Sequence, residues 1–121
     1  ELHYGRDALV GIALFLALLV DKKCKVSELK PQYSEYFMKK IKITLEDSNL
    51  IDRSFKVIAE NYSELSPNTE DGVRIDFEDA WVHMRKSNTE PIIRIFAEAN
   101  SQDIADSYAL KIEKEIKSIS A

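Results

Sequence analysis

The chain has 121 residues, 45% of them hydrophobic and 31% charged, with a formal net charge of -4. This balance suits a globular domain with at most a small appendage and excludes a disordered or low-complexity chain. The acidic total argues against a nucleic-acid partner, because phosphate backbones recruit an excess of Lys and Arg, yet a local basic site can still hold a small anion. The single cysteine, Cys24, cannot form an internal disulfide, which fits a reducing, cytoplasmic location.

From Ala8 to Val20 every residue is apolar or Gly, a run of 13. Spanning a bilayer takes about 20 apolar residues. Asp21, Lys22 and Lys23 follow where a signal peptide needs small residues for cleavage. The run therefore reads as a buried helix, capped by Asp7 and continuing to about Lys22, with no membrane partner expected. A helix that is apolar all round needs cover on several sides, and little precedes this one. The chain also opens Glu1-Leu2-His3-Tyr4 without a methionine. The expectation is a piece of a longer protein. Val26-Ser27-Glu28-Leu29 begins a short second helix that Pro31 limits, and a linker is expected around 32–36.

Between Tyr36 and Leu45, the apolar Phe37, Ile41, Ile43 and Leu45 alternate with Lys39, Lys40, Lys42 and Thr44. That period of two predicts a half-buried strand, with an irregularity near Met38 to Lys40. After a break at Asp47-Ser48-Asn49, residues Ile51, Phe55, Ile58, Ala59 and Tyr62 recur at helical spacing. Ser66 to Gly72 is rich in turn residues. Three strands are then expected, at 73–77, 81–85 and 91–99. Ser101 caps a terminal helix whose stripe is Ile104, Tyr108, Ile112, Ile116 and Ile119. The order β-α-β-β-β-α from residue 37 predicts an α+β fold, a mainly antiparallel four-stranded sheet with both helices on one face.

The stretch Arg85-Lys86-Ser87-Asn88-Thr89-Glu90-Pro91 carries the chemistry. Two cations, two hydroxyls and an amide fall within five residues between two strands. Arg offers a planar fork of donors suited to phosphate oxygens, hydroxyls donate beside it, and loop N–H groups complete an anion-binding concavity. Arg94, in the next strand, can converge on the same anion. The competing reading of the residues alone is a polar hairpin that happens to contain Arg and Ser.

Asp71-Gly72-Val73-Arg74-Ile75, Trp81 to Pro91, and Ile93-Arg94-Ile95 with Glu98-Ala99 together resemble the last domain of the α-D-phosphohexomutases. That family's pattern runs D-G, a Trp-bearing strand, R-x-S-[NG]-T-E-P, then a strand that contains Arg and ends in Glu. The likeness covers residues 36–120, and Tyr4 to Leu29 is similar to the end of the family's third domain. The resemblance implies a domain division at 1–35 and 36–121. It also implies a parent enzyme that moves a phosphoryl group between the 1- and 6-oxygens of a hexose phosphate, through a phosphoserine and a bisphosphorylated sugar, with Mg²⁺. Carried over residue by residue, Arg85, Ser87, Asn88 and Thr89 are the phosphate contacts and Arg94 supports them. Glu90 shapes the loop or orients Arg94 rather than touching the ligand, and Lys86 attracts anions from a distance. A phosphoserine loop, an aspartate cluster for the metal and a sugar-reading motif do not occur in these residues. No catalytic or metal-binding residue is therefore expected here, and Mg²⁺ belongs to the parent, outside this chain. The implied partners are a glucosamine, mannose or glucose phosphate and the parent's other domains. A homodimer through the 8–20 helix is the further possibility that its apolar surface raises.

The remaining candidates read as structural. His83 and Trp81 sit on a strand, Asp76, Glu78 and Asp79 line a solvated strand edge, and Cys24 lacks a His partner. The alternative from a different class is a non-catalytic α+β interaction module that uses the apolar helix as its binding element.

Overall fold

The computed structural model describes residues 7–45, 48–87 and 90–120. The chain divides into two compact units, Glu1–Glu35 and Tyr36–Ala121.

In the first unit, α1 spans Ala8–Lys22 and α2 spans Val26–Leu29. Asp7 caps α1 by accepting from the Val10 N–H at 3.0 Å. The helix ends where Lys23 takes a left-handed conformation (φ 50°) and the Lys23 N–H bonds the Val20 carbonyl. Glu28 returns to the Lys25 N–H at 2.8 Å and fixes the start of α2, and a single 310 turn at Lys30–Gln32 accommodates Pro31. No residue of α1 is buried. Among the described residues no helix is long and apolar enough to cross a membrane.

The second unit is one antiparallel sheet under two helices. Strands β1 (Phe37–Thr44), β2 (Val73–Asp76), β3 (Ala80–Lys86) and β4 (Ile92–Ala99) lie in the order β1-β4-β3-β2. Helices α3 (Ser48–Asn61) and α4 (Gln102–Ser120) pack on one face. The α+β expectation of a four-stranded antiparallel sheet holds. α3 carries the chain from one edge strand to the other, and β2-β3-β4 follow as a meander. Alternation assigns the faces: Ile43, Ile75, Val82, Met84, Ile93 and Ile95 point to the helices and are 5% exposed or less. Ile51 and Ile58 of α3 and Ile112 and Ile116 of α4 meet them, all fully buried, each worth about 1.5–3 kcal/mol of apolar burial. Both helical stripes thus face the sheet.

β1 departs from expectation in one respect. Its pairing with β4 is unbroken from Phe37↔Ala99 to Thr44↔Ile92, so no irregularity interrupts Met38 to Lys40. The consecutive lysines are explained by position. Lys39 lies on the helix face near the strand's start, where its ammonium reaches Asp106 of α4 at 3.4 Å. Trp81 belongs to the other face, where its indole N–H donates to Glu98 at 3.1 Å and the Arg74 guanidinium lies 4.7 Å from its ring.

Candidate phosphate-binding site

The face of the sheet away from the helices carries a row of cations at one end. Arg85 of β3 stands directly opposite Arg94 of β4, and Arg94 directly opposite Lys42 of β1. All three are exposed. Like charges at directly opposed positions destabilise a sheet, so nothing in strand pairing itself favours this row. It sits where the chain leaves β3 for the loop that holds the Ser-Asn-Thr sequence. Arrangements that cost stability and gather one sign of charge beside a polar loop are characteristic of binding sites.

Arg85 is held from the side. Its guanidinium pairs with the Asp71 carboxylate at 2.7 Å. The Asp71 carbonyl lies 2.7 Å from His83 Nε2, and because a carbonyl only accepts, Nε2 carries the proton. Gly72 follows at φ 84°, and any Cβ there would collide with the backbone of Met84 and Arg85. Asp71 and Gly72 therefore clamp the Arg85 segment from the neighbouring edge. Lys42 is 3.6 Å from Glu90 of the loop. Arg94 makes no ion pair with the other described residues, its nearest opposed neighbours being cations.

The loop is fastened at both roots. The Ser87 N–H donates to the Ile92 carbonyl at 3.1 Å, the Ile92 N–H to the Glu90 carbonyl at 2.8 Å, and the Leu45 N–H to the Pro91 carbonyl at 3.0 Å. Ser87 is nearly covered, with 9% of its surface exposed. Asn88 and Thr89 lie outside the described residues.

Of the residues expected at the site, Arg85 and Arg94 stand side by side, Ser87 forms the loop's root, and Glu90 faces Lys42. Lys86 is elsewhere: alternation turns it to the helix face, where it reaches Asp52 of α3 at 3.2 Å. That places it in an open cleft of about 640 Å³ between α3 and the chain leading into β2. The cleft borders Asp71 but contains no arginine, so it is distinct from the cationic row. Sequence reasoning missed Lys42 and Asp71. The motif that drew attention to the loop does not reveal which residue of β1 stands beside it. Among the described residues no group of three or more His, Cys, Asp or Glu side chains is placed to hold a metal ion.

The phosphoglucomutase/phosphomannomutase C-terminal domain model matches residues 22–115. The chain is 37% identical over 114 residues to a phosphoglucosamine/phosphogalactosamine mutase of Sulfurisphaera tokodaii, covering 93% of this chain and 25% of that protein. It is 37% identical over 110 residues to a phosphoglucomutase/phosphomannomutase of Thermococcus kodakarensis, covering 86% and 23%. The chain thus spans about a quarter of the length of these relatives. The crystal structure of Aspergillus fumigatus N-acetylphosphoglucosamine mutase, solved with GlcNAc-6P and magnesium, shares the fold. Its TM-score is 0.61 at 18% identity, covering 95% of this chain and 22% of the other. The match over residues 22–115 and the sheet that bears the arginine row agree: the chain belongs to the phosphoglucomutase/phosphomannomutase C-terminal domain family.

Proposed function

We propose that this chain is the part of a phosphohexomutase that grips the non-reacting phosphate of a hexose phosphate. The supporting observation is the direct opposition of Arg85 and Arg94 beside the Ser87 loop. A phosphate dianion above β3 and β4 relieves their mutual repulsion and accepts charge-assisted hydrogen bonds from both. Ser87, Asn88 and Thr89 supply the remaining donors from the loop. In the parent, one phosphate reacts while the other is held, and because the bisphosphorylated sugar turns around, the holding site must accept either end. Charge and phosphate-directed hydrogen bonds satisfy that demand, whereas close reading of the sugar obstructs it. The role of this chain is thus to bind and orient. The phosphoserine and Mg²⁺ act from other segments of a cytoplasmic parent, with residues 1–35 closing the preceding domain and 36–121 forming the phosphate-binding one.

The test is a chemical-shift titration of the chain with glucosamine 6-phosphate. Perturbations should centre on 85–94, with a millimolar dissociation constant, equivalent to about 4 kcal/mol. Shifts confined to residues remote from that segment contradict the proposal. An interaction-module reading draws on the exposed apolar surface of α1, and predicts no response to phosphate at all.

A further inference from the structure

The geometry points to Lys42 as a third phosphate-binding cation, contributed by β1 and held by Glu90 until the phosphate arrives. This inference rests on the phosphate-gripping role of Arg85 and Arg94. Lys42, Arg94 and Arg85 occupy consecutive cross-strand positions on one face, with Arg94 in the middle. The outer two are separated by two strand spacings, about 9.5 Å, within which Lys and Arg side chains converge above the central strand. A phosphate that meets Arg94 is therefore within reach of both flanking cations. The lysine is exposed on the side away from α3 and α4, so packing against those helices does not explain it.

The partners of the row divide the three cations into different states. Arg85 is fixed by Asp71 on the β2 side, at 2.7 Å, and its planar fork retains further donors. Lys42 is a point charge whose pairing, at a looser 3.6 Å, is with a residue of the loop itself. Both members are more than half exposed, so this pair is weak and readily exchanged. Glu90 thus fills the place of a phosphate oxygen beside Lys42. An incoming dianion displaces it, and the loop loses one tie to β1 as the ligand gains one. Glu90 acts here as a competitor, and among the described residues Arg94 has no carboxylate ion pair of its own to give up.

Titration of the chain with inorganic phosphate at pH 8, followed by amide shifts at 85–94, separates the outcomes. Lys42→Met should weaken binding about five-fold and lower its salt dependence, with Lys42 lost as one of three contacts. Glu90→Gln should strengthen binding two-fold or more in the presence of Lys42, and most of that gain should vanish in the double variant Lys42→Met/Glu90→Gln. Thermal unfolding of each variant guards against loss of fold, since neither position is in the core. A wild-type response at Arg85 and Arg94 with Lys42→Met unchanged overturns the Lys42 assignment alone. Equal strengthening by Glu90→Gln with and without Lys42 overturns the competition. Absence of any response in the wild type overturns both this inference and the reading beneath it.

Discussion

Gly72 backs directly onto the carbonyl of Met84, in the turn that places Asp71 against Arg85. The obstacle to a side chain there is backbone on a central strand, which cannot swing aside. The positive φ of 84° adds a second penalty for any L-residue. Gly72→Ala should therefore destabilise the chain by about 2–4 kcal/mol, read as a lower denaturation midpoint at unchanged slope. A midpoint within experimental error of wild type contradicts the turn geometry. Because Asp71 adjoins the strained residue, phosphate affinity should fall as well.

Two neighbours in sequence should behave as opposites. Arg85→Ala removes a charged hydrogen-bond partner of the phosphate and should cost about 1.5–3 kcal/mol of binding, and a like loss in kcat/KM within an intact parent. Lys86→Met removes only an exposed pair with Asp52, worth at most about 1 kcal/mol of stability, and should leave phosphate affinity unchanged. Equal effects of the two substitutions on binding contradict the face assignment.

Alternation made the faces of each strand legible from sequence, and helical spacing made the two stripes legible. Strand pairing was not. The row Lys42–Arg94–Arg85 joins residues from three strands, and its register depends on where α3 delivers the chain, a long-range matter that a local period of two does not encode. Lys39 shows the same limit. Its place on the helix face looked like a fault in the pattern, and Asp106, far away in sequence, explains it. The aromatic cluster of Tyr62, Phe77 and Tyr108 also escaped notice. Phe77 and Tyr108 stack with centroids 4.2 Å apart and Tyr62 meets Phe77 edge-on at 5.8 Å, linking the turn that ends α3, the β2–β3 turn and α4.

That cluster carries a pH dependence. Burial, then the hydrogen bond to Glu115, pushes the Tyr62 hydroxyl well above its ordinary value; the hydroxyl donates to the carboxylate at 2.7 Å. Burial and Asp79 raise Tyr108 too. A phenol with a raised folded-state pKa retains its proton after the unfolded chain has lost it, near pH 10. Its stabilising contribution is complete below that pH and declines as pH rises toward the folded value. Tyr62→Phe should cost about 1 kcal/mol at pH 7 through the lost bond, and less than that as pH rises above 10. A wild-type-to-variant difference that stays constant from pH 8 to 11 contradicts this.

The last prediction concerns α1. Leu9 is 79% exposed and Val20 76%, and Ile12, Leu14 and Leu16 are each more than half exposed. Leu9, Ile12, Leu16 and Val20 share one stripe at helical spacing while Leu14 lies on another side, so no single contact covers them all. Burying one such side chain yields about 1.5–3 kcal/mol, and several in water drive association strongly. A second copy of α1 offers a matching apolar partner when the chain is alone. Sedimentation of the 121-residue chain should show concentration-dependent dimers, and removal of residues 1–35 should return a monomer. Replacing Leu9, Ile12 and Leu16 by Gln should shift the equilibrium toward monomer without changing the phosphate response at Arg85. A monomer at high concentration with α1 intact and exposed contradicts the prediction, because the apolar area then exacts no measurable association.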